Sequence, residues 1–71
     1  MTVGDLRLRM WSSKIMIVEV ETFDKYVEMD LSFESLKSRA IYYGESVKAE
    51  GYDDFIIASY GIIGNCLIIE V

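Results

Sequence analysis

The chain has 71 residues, is 52% hydrophobic and 27% charged, contains no proline and carries a net charge of −5. That composition excludes a disordered chain, and the length leaves room for one small domain, 1–71, whose core sits near the lower limit of self-sufficiency. The acidic balance opposes generic phosphate-backbone binding, the absence of histidine removes the usual neutral-pH base, and the single cysteine excludes an internal disulfide.

At the N-terminus, Thr2 can cap a helix and Asp5 adds negative charge to its first turn. Val3, Leu6 and Met10 then share one helical face. Residues 6–11, LRLRMW, also alternate at period two, as a strand would. Helix is the favoured reading, although Gly4 is a poor interior residue. Met1 to Trp11 lacks the apolar core of a secretory signal, so the cytoplasm is the expected compartment.

Lys14 to Glu21 reads as a strand, and Lys25 to Leu31, with YVEMDL alternating, reads as its hairpin partner across Phe23-Asp24. That pairing puts Met16, Val18, Val20, Val27, Met29 and Leu31 on one apolar face. The other face gathers Ile17, Glu19, Glu21, Tyr26, Glu28 and Asp30, with Glu19 opposite Glu28. Like charges so placed repel by roughly 0.2–1 kcal/mol. The acidic strip is therefore a candidate surface for a partner, and Tyr26 is its best aromatic anchor.

Ser32 to Tyr43 reads as a helix: Ser32 is an N-cap, Glu34 lies in the first turn, and Phe33, Leu36, Ala40 and Tyr43 form an apolar stripe. Gly44 suits the position just past its end. Glu45 to Asp54 reads as a loop, with Ser46 to Ala49 as an alternative short edge strand.

Phe55 to Val71 reads as a closing hairpin. Gly64-Asn65 suits the centre of a tight turn, so Ile63 faces Cys66, Ile62 faces Leu67, Tyr60 faces Ile69 and Ala58 faces Val71. A wider loop over Gly61 to Asn65 keeps the same parity. One side of this ribbon is apolar throughout. The other carries Ile57, Ser59, Gly61, Ile63, Cys66, Ile68 and Glu70. Its apolar members Ile57, Ile63, Cys66 and Ile68 make it a candidate homodimer interface if it is left uncovered. Phe55 to Ile69 is 15 residues without a charge, short of the roughly 20 a membrane-spanning helix needs.

The expected fold is α+β: a four-stranded antiparallel sheet built from two hairpins, with one or two helices on one face, in the order α-β-β-α-β-β. No motif for nucleophilic, metal or phosphate chemistry is present. Cys66 has no histidine partner, Asp53-Asp54 does not match a calcium loop, and 61–64 (GIIG) is not a phosphate cradle. No catalytic residue, metal or cofactor is expected. The seven basic residues are scattered, which argues against direct nucleic-acid binding.

An opening Thr2-Val3-x-x-Leu6, a first strand over Lys14 to Val20, and a closing Asn65-x-Leu67-x-Ile69-x-Val71 resemble small uncharacterised proteins of phages and prophages of Gram-positive bacteria. Gly4-Asp5 and the basic Arg7 to Arg9 depart from that pattern, and the helix from Ser32 is longer than is usual there. The resemblance implies a compact α+β fold and no established activity. It also implies a context: small acidic phage proteins often bind host proteins, and some anti-CRISPR proteins resemble acidic nucleic-acid mimics. The resulting expectation is a non-catalytic binding protein whose partner has a basic surface. The alternative is a small oligomerising domain that pairs through its C-terminal hairpin.

Overall fold

A computed structural model describes residues 1–10 and 12–71; the part of the N-terminal reading that falls on Trp11 lies outside them. The chain opens with helix α1 (Val3–Arg9), closed at its start by a reciprocal capping box. The Thr2 hydroxyl accepts from the Asp5 amide, and the Asp5 carboxylate accepts from the Thr2 amide, each at 3.2 Å. The backbone bond to Thr2 holds the Asp5 carboxyl below its usual range. Helix, not strand, is thus the outcome for this segment, and Gly4 has a specific role in it. A Cβ at Gly4 would stand 2.9 Å from the Asp53 Cβ, so only glycine lets the two backbones meet, with the Gly4 amide donating to the Asp53 carbonyl at 3.0 Å.

Strand β1 (Lys14–Val18) follows, then helices α2 (Thr22–Glu28) and α3 (Phe33–Ser38), strand β2 (Tyr42–Glu45), two short 3₁₀ turns over Ser46–Lys48 and Glu50–Tyr52, and the strands β3 (Ser59–Ile63) and β4 (Cys66–Glu70). Among the described residues the four strands form one mixed sheet in the order β2-β1-β4-β3. β1 runs antiparallel to β2 and parallel to β4, and β4 pairs antiparallel with β3.

The sheet separates two cores. On one face Ile15, Ile17, Leu67 and Ile69 pack under Val3 and Leu6 of α1 and Ala49 of the 3₁₀ region. On the other, Met16, Val18, Cys66 and Ile68 pack under Leu36 of α3, flanked by Phe23 and Tyr26 of α2. The central strands are therefore covered on both sides. Apart from Lys14 and Glu70 at their ends, their sequences, KIMIV and CLIIE, are the apolar runs that doubly covered strands carry. Arg7 ties α1 to the 3₁₀ region through two parallel bonds to Asp53, 2.9 Å from Nε and 2.8 Å from Nη2.

The C-terminal hairpin has the expected register: Ile63 opposite Cys66, Ile62 opposite Leu67, Tyr60 opposite Ile69. Of the two turn residues only Gly64 has a positive φ, 60°, as the first central residue of a type II′ turn must. The ladder ends at Ser59 and Glu70, one pair short of Ala58 and Val71.

The rest of the expected topology is corrected. Lys25 to Leu31 is not a strand: Thr22–Glu28 is helical, and the sheet is neither purely antiparallel nor built from two sequential hairpins. YVEMDL alternates, but Phe23 and Tyr26 stand three apart, and at helical spacing both rings reach the core. Two left-handed residues, Glu21 (φ 74°) and Asp30 (φ 50°), bracket the helix and break the line of the strand. The helix from Ser32 does not continue to Tyr43. It ends at Ser38, and the Ile41 amide donates instead to the Ile17 carbonyl at 2.7 Å, starting β2. Gly44 is consequently a strand residue opposite Ile15, not a helix terminator. Ser46 to Lys48 is a 3₁₀ turn, and the edge strand at that end of the sheet is β2. Helices lie on both faces of the sheet, not on one.

Candidate functional site

The acidic residues expected to share a strand face are held differently. Glu19 and Glu21 lie in the turn that leaves β1, Tyr26 and Glu28 belong to α2, and Asp30 follows it. No cross-strand pair joins Glu19 to Glu28, because neither residue is in a strand. Ile17, assigned to the same face, is fully buried in the core. Tyr26 is half-buried, its ring 5.7 Å from that of Phe23 and packed on the α2/α3 side of the sheet. The four carboxylates are all exposed and stay close in sequence, joined by Asp24.

None of the seven residues of α2 is buried. The segment that carries it also exposes apolar side chains: Val20 is 55% exposed, Val27 66% and Met29 60%. Carboxylates and exposed apolar side chains are thus interleaved along this segment.

The side of the C-terminal hairpin proposed for self-association is occupied by the chain itself. Cys66 and Ile68 are buried beneath α3, and Ile63 packs against the same cluster. Ile57 packs against the opposite core, because the chain bends before β3 begins. Within the paired strands the apolar positions left open are Tyr60 and Ile62, 52% and 58% exposed, on the other side of the ribbon, and Ile56 ahead of β3 is 74% exposed. Burial pushes the Cys66 thiol up, away from the thiolate a nucleophile needs.

Where α2 meets the hairpin, a carboxylate lies inside the structure. Glu70 is 8% exposed. One of its oxygens accepts from the Ser59 hydroxyl, and the other accepts from the Phe23 amide at 3.0 Å. The second bond caps α2 from across the sheet, since Glu21 at the helix start makes no side-chain cap of its own. A cavity of about 140 Å³ opens beside this carboxylate, between α2 and β3. Neither Glu70 nor its cavity followed from the sequence reading, which placed Glu70 on the mixed face of the hairpin without a role. The apolar context of CLIIE around a single acid is the signal that could have marked it.

Among the described residues no group of three or more acidic, cysteine or histidine side chains could hold a metal ion, and no helix is long and apolar enough to cross a membrane. No protein-family model, no curated protein and no solved structure matches the chain.

Proposed function

We propose that this chain is a non-catalytic protein-binding domain of the phage accessory kind, which engages a host protein with a basic surface through the segment 19–30. The observation that carries this reading is the composition of that segment on its exposed helix. Glu19, Glu21, Asp24, Glu28 and Asp30 stand against one cation, Lys25, with Val20, Val27 and Met29 open between them. A basic groove that holds nucleic acid offers the complementary charge, so a defence nuclease such as a CRISPR effector is the class of target that fits, in the cytoplasm of the host. Charge complementarity of this sort speeds encounter and weakens with salt.

The test is capture from host lysate by the wild type and by the double variant Glu19→Lys, Glu28→Lys. Both positions are exposed and neither is left-handed. A basic nucleic-acid enzyme retained at low salt, released at high salt and lost by the variant supports the reading. Retention of that enzyme by the variant contradicts it.

A second reading has its own observation. β3 is an edge strand without charge, proline or bulge, the features that normally blunt an edge, and it exposes Tyr60 and Ile62. Pairing of two copies along this edge gives an oligomerising domain. Sedimentation at high concentration tests it: a wild-type dimer that Ile62→Lys converts to monomer supports the reading, and a wild-type monomer removes it.

A further inference from the structure

We propose that the cavity between α2 and β3 receives an alkylammonium group, the tip of a lysine side chain presented by the basic partner, with Glu70 as its counter-charge. The proposal rests on the partner reading above and adds the place where one cation is anchored.

The cavity lies between Phe23 and Asp24 of α2, Ser59 and Gly61 of β3, and Ile68 and Glu70 of β4. Its volume of about 140 Å³ is below the roughly 300 Å³ at which small-molecule sites begin, and suits a side-chain tip. Glu70 has no ionic partner: the ion pairs among the described residues are Arg7–Asp53, Lys37–Glu34 and Lys48–Glu45. A carboxylate taken out of water without a cation is costly, and its two hydrogen bonds leave half of its roughly four acceptor positions open. Asp24 adds a second negative charge at the wall, and Phe23 supplies aromatic surface for a methylene stem and its charged end.

The bonding of Glu70 also selects between the two basic side chains. A guanidinium binds best when its fork meets both oxygens of one carboxylate. Here the Ser59 hydroxyl holds one oxygen and the Phe23 amide holds the other. A compact ammonium with three rotatable donors can use the remaining acceptors singly, with the Ser59 oxygen and Asp24 as further partners.

The experiment is an amide-resolved NMR titration of the full chain with n-butylammonium, with n-butanol as the neutral match and methylguanidinium as the forked one. These probes report on the cavity without any protein partner. A failed titration therefore overturns this site while leaving the acidic-surface reading to its own charge-reversal test. The expected result is saturable movement of the Asp24, Ser59 and Gly61 amides with butylammonium, at least tenfold weaker with methylguanidinium and absent with butanol. Glu70→Gln should weaken binding at least tenfold. Because Glu70 also caps α2, two further variants keep the outcome decisive if that one unfolds. Asp24→Asn removes the exposed wall charge and should weaken binding several-fold. Gly61→Val should abolish it with an otherwise unchanged spectrum, since a Cβ there meets only the Phe23 ring, at 3.9 Å, and a larger side chain fills the space. Equal shifts with butanol, equal or tighter binding of methylguanidinium, or undiminished binding in Asp24→Asn and Gly61→Val overturns the proposal.

Discussion

Strand β4 and helix α2 are similar in length and opposite in kind. All five residues of β4 are buried, held between β1 and β3 and covered by helices on both faces. None of the seven residues of α2 is buried, and its contacts with the rest of the chain run through Phe23, Tyr26 and the Glu70 cap. The difference separates what holds this small domain together from what it presents. Burial of an aliphatic side chain contributes roughly 1.5–3 kcal/mol, so β1 and β4 can carry a chain of this size. A helix with two half-buried rings and a surface of carboxylates contributes little to that total, and its side chains are free for another molecule.

The comparison breaks first where burial is greatest. Ile69 is fully buried on β4, and Ile69→Ala should destabilise by about 3 kcal/mol in denaturant unfolding, enough to unfold much of so small a domain. The matching change on α2, Val27→Ser at a 66% exposed site, should stay within about 0.5 kcal/mol. Similar losses for the two would erase the distinction. Between these extremes lies Gly4→Ala, which drives a Cβ against Asp53 and should cost about 2 kcal/mol, read as a lower melting temperature. A smaller effect is expected at the Arg7–Asp53 pair, whose side chains are 13% and 33% exposed. The hydrogen bonds from Arg7 hold the Asp53 carboxyl below its usual range. Its folded value is thus lower than its unfolded one, so the stability it provides is full above about pH 4 and lost as pH falls through the folded value. Asp53→Asn should flatten that acid limb of the stability curve. An unchanged acid limb would remove the pair from the account.

How much of this could be read from the chain depended on how local its causes were. The C-terminal hairpin was legible because Gly64-Asn65 and the parity of its neighbours act within a few residues, and the register followed. Thr2 and Asp5 likewise announced α1 three residues apart. Residues 22–28 misled because their alternation satisfies a strand while Phe23 and Tyr26 satisfy a helix, and only the sheet beneath them decides. The parallel β1–β4 pairing joins Lys14 to Cys66, far apart in sequence, and no local pattern encodes it. The acidity of residues 19–30 was visible as composition. The cavity was not, because it exists only once Glu70 reaches the Phe23 amide across the fold.

Native-state amide hydrogen exchange tests the division between these regions most directly. Amides of β1 and β4 should exchange only through global unfolding, with the opening free energy and denaturant dependence of the whole domain. The amides of Tyr26 to Glu28 in α2, and of Met29 at its C-cap, should exchange through local opening, at lower free energy and with little denaturant dependence. If the α2 amides instead match those of β4 in both respects, α2 belongs to the cooperative core, and its role as a surface carried by the fold is contradicted.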